Sequence, residues 1–125
     1  MNKILVIGLN PSNRPTLGNQ HVKNSTFDRL HRWMDEIEVE HFSFMNVNDR
    51  RGRTTMKDVD FETISEVSYT YTRIVCLGGF VSRVLERMGI QHFRMPHPSP
   101  LNRQLNDKDY ERKMIDECRR YVWTG

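Results

Sequence analysis

The chain has 125 residues, of which 37% are hydrophobic and 28% charged, and its formal net charge is +3 at pH 7. This balance is typical of a globular domain and excludes an intrinsically disordered chain. The apolar runs, such as residues 4–7 and 74–77, are too short to span a bilayer, and no signal-peptide pattern precedes the first of them. We therefore expect one cytoplasmic or nucleoid-associated domain over residues 1–125, neither secreted nor in contact with a membrane.

The first half of the chain predicts a strand, a helix and a second strand. Residues 3–7 are apolar without alternation, which is typical of a strand buried on both faces of a parallel sheet. A turn-rich segment follows, and Asn24 or Ser25 can cap the next helix. The apolar positions of that helix begin at Phe27 and follow helical spacing, so we expect Phe27 to pack in the core. Residues 41–47 predict the second strand.

The second half continues the alternation. Residues 54–61 favour no single element, and residues 61–71 favour a helix that begins near Asp60. The remaining predicted elements are strands at residues 73–77 and 91–95 and helices at residues 80–88 and 107–123. The buried side of the last helix is expected to carry Tyr110, Met114, Ile115, Cys118, Tyr121 and Val122. This order predicts an α/β fold with three α/β/α layers around a central four-stranded, mainly parallel sheet.

Few of the common catalytic motifs occur in the sequence. Two cysteines, Cys76 and Cys118, are too few for a disulfide framework and do not have a metal-ligand spacing. Cys76 lies inside an apolar run, which favours a buried side chain over a nucleophile. The sequence has no nucleophile elbow and no glycine-rich phosphate loop of the usual spacing. It therefore indicates neither a metal nor a cofactor.

Polar and small residues follow each predicted strand, at the edge where ligands bind in parallel α/β sheets. These residues are Gly8, Leu9, Asn10, Pro11 and Ser12 after the first strand, Asn46 and Asn48 after the second, Gly78 and Gly79 after the third, and the segment 96–102 after the fourth. Asn, His and Ser side chains in this setting favour recognition of a polar, planar ligand, together with an oriented water. Arg50, Arg51 and Arg53 surround Gly52 in a basic loop that could bind phosphates or could simply be solvated.

Four segments resemble motifs of the uracil-DNA glycosylase superfamily, and they occur in the family's order. Residues 8–12, Gly-Leu-Asn-Pro-Ser, are close to the Gly-x-Asn-Pro-Gly signature of the mismatch-specific and single-strand-selective branches. Residues 97–101, His-Pro-Ser-Pro-Leu, match the second signature of the classical branch. Residues 44–47 resemble the strand whose asparagine reads the pyrimidine, and residues 73–79 resemble the penultimate strand and its Leu-Gly turn. The chain is thus similar to a minimal-length member of this superfamily.

The resemblance implies a role for each matching residue in cleaving a base from its sugar. Asn10 would hold the attacking water, and His97 would donate a hydrogen bond to O2 of the departing pyrimidine. Asn46 would accept from N3–H and donate to O4 of the base, which matches uracil and not cytosine. Leu101 would wedge into the base stack, and Ser99 would contact phosphates.

The resemblance also implies a wider set of contacts with DNA. The further base-contacting residues would be Gly8, Leu9, Pro11 and His21. The further DNA-contacting residues would be Ser12, Asn102, Arg103, Arg50, Arg51 and Arg53. The expected partner is single- or double-stranded DNA that contains uracil or a modified pyrimidine, bound by a monomer.

The chain departs from the family pattern at the aromatic residue that stacks on the base. Residues 15–21 contain no Phe or Tyr, so His21 or Leu17 would have to take that place. Ser12 stands where the family has glycine, and the chain is shorter than family members generally are. These departures bear on both the affinity for a base and its identity.

Other interpretations therefore stay open at this stage. Asn10 could be a turn residue before a proline, His97 a structural loop histidine and Asn46 a turn cap, and Leu101 could pack on the domain. The function could be that of a glycosylase for uracil or a 5-substituted pyrimidine, or that of a non-catalytic nucleic-acid or nucleotide binder. A hydrolase of free nucleosides or nucleotides is a third possibility.

Overall fold

Strands and helices alternate along the whole described chain. The structure is a computed structural model, and it describes residues 3–9, 25–48, 50, 52–99 and 101–124. In chain order the elements are β1 (Ile4–Gly8), α1 (Ser25–Glu36), β2 (Ser43–Asn46), α2 (Phe61–Ser68), β3 (Arg73–Leu77), α3 (Gly79–Arg87), β4 (Phe93–Met95) and α4 (Lys108–Trp123). Single turns of 3-10 helix lie at Met56–Asp58 and Arg103–Asn106. The predicted order of elements is confirmed.

The four strands form one sheet in the order β2-β1-β3-β4, and every pairing in it is parallel. β1 is buried along its whole length, as its unbroken apolar sequence predicts for a central strand. The register pairs Gly8 with Asn46 at the carboxyl end of β1 and β2. It pairs Leu77 with Met95 at the carboxyl end of β3 and β4.

Helices cover both faces of the sheet and produce two separate apolar clusters. On one face α1 and α4 pack through residues such as Trp33, Met34 and Ile115. On the other face α2 and α3 pack through residues such as Ile64 and Leu85. These clusters confirm the predicted α/β/α layering.

The topology places a switch point between the ends of β1 and β3. β1 is followed by α1 on one face of the sheet, and β3 is followed by α3 on the opposite face. β1 and β3 are paired neighbours, so the chain leaves these two strand ends in opposite directions. Such a switch point is where open parallel sheets bind their ligands.

Some predicted boundaries are wrong by a few residues. β2 and β4 are shorter than the predicted ranges 41–47 and 91–95 because each is an edge strand with one paired neighbour. α2 ends at Ser68, before the predicted residue 71. The backbone N–H and the hydroxyl of Thr70 both donate to the carbonyl of Val67, which closes a turn there.

One burial prediction is wrong, and one buried residue was not predicted. Phe27 is 38% exposed and lies outside the core, because α1 makes its first buried contact one turn later, at Leu30. Glu111 is buried on α4 among the predicted apolar positions, since its Oε1 accepts from Nη2 of Arg32 at 2.8 Å. Ile115, Cys118 and Val122 are buried as predicted, and Tyr110, Met114 and Tyr121 are half-buried.

Candidate ligand site at the carboxyl edge of the sheet

Asn46 is an available amide at the end of β2. A Cβ atom on Gly8 would lie 2.8 Å from Oδ1 of Asn46 and 2.9 Å from Cζ of Phe44, so glycine leaves the room that both side chains occupy. The Asn46 amide forms no hydrogen bond with the residues that the structure describes, which gives no support to its being a turn cap. Its donor and acceptor therefore have no partner among the described residues, and both can bond to a ligand.

Asn48, only two residues further on, has the opposite character. Its side chain is 5% exposed, and its Nδ2 donates to Oγ1 of Thr54 at 3.1 Å. Its Oδ1 accepts from the backbone N–H of Arg50 at 3.0 Å. Asn48 thus braces the loop that carries the arginines, and both halves of its amide are already bonded.

His97 follows β4 and lies against the end of β3. A Cβ on Gly78 would be 3.7 Å from Cβ of His97, and Gly78 itself has a φ of +92° that favours glycine. The backbone N–H of Ser99 donates to Nδ1 of His97 at 3.1 Å. Because Nδ1 accepts this bond, the ring proton of the neutral imidazole is on Nε2.

Burial keeps this imidazole in its neutral form. It lowers the pKa of His97 below its ordinary value of 6.5, because desolvation penalises the charged ring. Nε2–H makes no hydrogen bond within the described residues. At neutral pH the site therefore presents a neutral hydrogen-bond donor with an open partner position.

The loop after His97 is braced by its own polar groups. Nδ2 of Asn102 donates to the carbonyl of His97 at 2.9 Å, and the N–H of Leu101 donates to Oγ of Ser99 at 3.1 Å. Nη1 of Arg29, on α1, reaches the carbonyl of Ser99 at 3.4 Å. Asn102 and Ser99 thus hold the loop in place.

Leu101 is presented to solvent by this loop. Its side chain is 82% exposed, so it does not pack on the domain. Arg103 is also exposed, at the start of the following 3-10 turn. An apolar side chain on a braced loop beside His97 is available for contact with another molecule.

Two phenylalanines form an aromatic wall beside Asn46, which the sequence interpretation missed. The rings of Phe27 and Phe44 pack edge to face with their centroids 4.9 Å apart. Phe44 lies on the same face of β2 as Asn46 because side chains alternate along a strand. The two-residue spacing of Phe44 and Asn46 in a strand was the signal in the sequence for Phe44. Only the fold brings Phe27 into contact with Phe44.

The basic loop lies on the same edge of the sheet. Arg50 and Arg53 are exposed, and the loop is tied to the sheet where the N–H of Asn48 donates to the carbonyl of Leu9 at 3.1 Å. The Leu9 side chain is half-buried against the α2 and α3 cluster. The predicted site residues that lie outside the described part of the chain are Asn10, Pro11, Ser12, His21 and Arg51.

Asn46 and His97 flank one pair of strand ends. Asn46 lies beside Gly8 at the end of β1, and His97 lies beside Gly78 at the end of β3. β1 and β3 are paired, and adjacent strands are about 4.8 Å apart. The two free polar groups therefore face the switch point from opposite sides.

The described residues offer no competing catalytic centre. Burial raises the pKa of Cys76 and of Cys118 to about 12, which makes both thiols poor nucleophiles. Ser82 donates to Nε2 of His92 at 2.8 Å, but Ser82 is 4% exposed and cannot reach a substrate. Within the described ranges no group of His, Cys, Asp and Glu could hold a metal ion, and no helix there has the length and apolarity to cross a membrane.

Comparison of the chain with protein-family models, with curated proteins and with solved structures found no match.

Proposed function

We propose that the chain is a DNA glycosylase of the uracil-DNA glycosylase type, which hydrolyses the N-glycosidic bond of uracil or a related 5-substituted pyrimidine. The observation that carries this proposal is the state of His97. Its Nδ1 accepts from the N–H of Ser99 at 3.1 Å, and partial burial lowers its pKa below 6.5, so at neutral pH Nε2–H is a donor without a partner among the described residues. Cleavage of the bond places negative charge on O2 of the pyrimidine, and a neutral, fixed donor stabilises that charge without reorganising.

Asn46 supports the choice of base. Its free amide can accept from N3–H and donate to O4 of uracil, whereas cytosine presents the opposite pattern at both positions. The Phe44 ring lies against the same point on Gly8 as the Asn46 amide. It supplies an apolar surface where the sequence lacks the family's stacking residue.

Asn10 completes the proposal as the residue that orients the attacking water. It is the third residue of the first glycosylase-like motif and follows β1 two residues beyond Gly8. An amide can position a water but cannot take its proton, as a carboxylate would. We therefore expect slower base release than in glycosylases that carry Asp at this position.

The exposed side chains near the site fit a nucleic-acid substrate. The target base in a duplex must leave the stack, and Leu101 is exposed on a braced loop beside His97. Arg50 and Arg53 are exposed on the same edge and can contact phosphates. These side chains are the DNA contacts that we propose among the described residues.

The proposal is tested with end-labelled oligonucleotides that carry uracil, hydroxymethyluracil or a G·T mismatch, in single- and double-stranded form. Base release is detected as strand scission after alkali treatment. We expect scission with the unmodified protein and a rate about 100- to 1,000-fold lower for His97→Ala and for Asn10→Ala. Tyr69→Ala is the control, since Tyr69 is 88% exposed and lines a cleft at the amino edge of the sheet.

Three outcomes discriminate between the functional classes. Scission that both site variants lose and Tyr69→Ala keeps supports the glycosylase. Binding of the oligonucleotides without scission on any of them contradicts it and indicates a non-catalytic binder. Release of uracil from deoxyuridine or its 5′-monophosphate, but not from DNA, indicates a hydrolase of free nucleosides or nucleotides.

A further inference from the structure

Two arginine side chains converge on one point at the start of α3. Nη2 of Arg94 lies 2.8 Å, and Nη1 of Arg83 lies 3.6 Å, from the position that a Cβ on Gly79 would occupy. Arg94 reaches this point from β4, and Arg83 reaches it from the first turns of α3. The guanidinium of Arg83 also lies 5.9 Å from the ring centroid of Phe80, which restricts its position.

No carboxylate of the described residues neutralises this pair. The ion pairs among the described residues join Arg32 to Glu111 and Arg119 to Glu38. Both Arg83 and Arg94 are exposed, and Glu86, one turn further along α3, forms no ion pair with Arg83. Two cations drawn to the same point repel each other, and a bound anion would reverse the sign of that interaction.

The pair lies next to the proposed base site. Gly79 directly follows Gly78, and a Cβ on Gly78 would be 3.7 Å from Cβ of His97. The Cα atoms of the two glycines are roughly 4 Å apart, so the arginine pair and His97 approach neighbouring points of the backbone. In a nucleotide the base and the phosphate are joined through one sugar, so a nucleotide with its base at His97 and Asn46 would have its phosphate within a few ångströms of the base site.

We propose that Arg83 and Arg94 form a phosphate-binding site for the nucleotide whose base is bound by Asn46 and His97. This inference rests on the proposed function for the identity of the nucleotide. Guanidinium groups bind phosphate oxygens through paired, charge-assisted hydrogen bonds, which the two converging forks provide. The phosphate is either a diester of a DNA chain or the 5′-phosphate of a free nucleotide, which share this chemistry.

The first test removes each charge. Arg83→Gln and Arg94→Gln are compared with Arg87→Gln, which makes the same charge change at the far end of α3. Binding of a single-stranded, uracil-containing oligonucleotide is measured by fluorescence anisotropy over a range of salt concentrations. We expect about tenfold weaker binding for each site variant and a salt-dependence slope reduced by about 0.7 per lost contact. Arg87→Gln should keep both the affinity and the slope.

The second test keeps both charges and moves one of them. In Gly79→Ala the new Cβ takes the place of the Arg94 guanidinium, and alanine is well tolerated at the first position of a helix. A built site predicts weaker oligonucleotide binding for Gly79→Ala. Unchanged binding in Gly79→Ala, together with equal losses in Arg83→Gln, Arg94→Gln and Arg87→Gln, would show a general charge effect and overturn the proposal.

Further arms separate the phosphate source from the proposed function. Deoxyuridine 5′-monophosphate that binds more tightly than deoxyuridine, with the difference lost in Arg94→Gln, supports the site with a free nucleotide as the source. Oligonucleotide affinity that depends on the arginines without any base release leaves the phosphate site standing and removes the glycosylase. Normal base release, with an oligonucleotide affinity that is the same in Arg83→Gln and Arg94→Gln as in the unmodified protein, supports the glycosylase and removes the phosphate site. A protein that binds neither oligonucleotide, monophosphate nor inorganic phosphate overturns the inference.

Discussion

The two edges of the sheet differ in what their polar groups do. A cleft of about 490 Å³ lies at the amino edge, between the end of α2, the start of β3, the turn before β4 and the end of α4. Several of the polar groups that line it are bonded to one another or to the adjacent backbone. Arg73 donates to the carbonyls of Thr72, Tyr121 and Thr124, and the hydroxyl of Tyr121 accepts from the N–H of Ile74.

At the carboxyl edge, bonded side chains such as Asn48 and Asn102 stand beside polar groups without such a partner. The amide of Asn46 and Nε2–H of His97 have no partner among the described residues, and the charges of Arg83 and Arg94 are not neutralised there. Asn46 and His97 are half-buried and Arg83 and Arg94 are exposed, so these groups are open to water or to a ligand. The difference between the two edges is therefore the availability of polar groups, and it is the reason for placing the candidate site at the carboxyl edge and not in the cleft.

The sharpest test of the comparison uses two asparagines on the same strand end. Asn46→Ala removes a free amide, so base release should fall about 10- to 100-fold while the free energy of unfolding is unchanged. Asn48→Ala removes a bonded amide, so stability should fall by about 1–3 kcal/mol. Rates from the scission assay and urea unfolding curves measure the two effects. An Asn46→Ala variant that loses stability but not activity would place Asn46 with the structural residues.

The amino edge provides the converse prediction. Arg73→Gln shortens a side chain that donates to three backbone carbonyls at the end of α4 and the start of β3. We expect the free energy of unfolding to fall by about 1–3 kcal/mol, with base release by the folded protein unchanged. Denaturant unfolding and the scission assay, performed on the same preparation, give both values. A folded Arg73→Gln protein without activity would show that the amino edge takes part in function.

The sequence was sufficient for the layers and for the edge of the sheet at which the described candidate residues lie. β1 and β3 are unbroken apolar runs, and such runs are central strands wherever they alternate with helices. Once the strands are parallel, their carboxyl ends share one edge, which places residues as distant in sequence as Asn46 and His97 on the same edge of the sheet. That step needs only the order of elements.

The sequence could not show which polar residues are free. Asn46 and Asn48 are the same residue type on one strand end, and only the position of Thr54 and the Arg50 backbone decides which of them is bonded. Helical periodicity defines the face on which Phe27 lies but not how far along the helix the sheet extends, so the core prediction for Phe27 was wrong. Arg83 and Arg94 meet because β4 returns beside the start of α3, which no local pattern records.

The smallest expected effect is the pH dependence that His97 confers. Its pKa in the folded protein is below 6.5 because of burial, and unfolding restores the ordinary value near 6.5. As pH falls below about 6.5, the unfolded chain binds a proton that the folded chain does not, so stability falls until the folded pKa is passed. Protonation of Nδ1 would also break its bond with the N–H of Ser99. Urea unfolding at about pH 8 and about pH 5 should therefore show a larger loss of stability in the unmodified protein than in His97→Gln, because glutamine does not titrate.

Base release should stay level from about pH 8 down to the lowered pKa of His97. A rate that rises as pH falls from about 8 to about 7 would instead require a charged imidazole and would remove His97 from its role as a neutral donor.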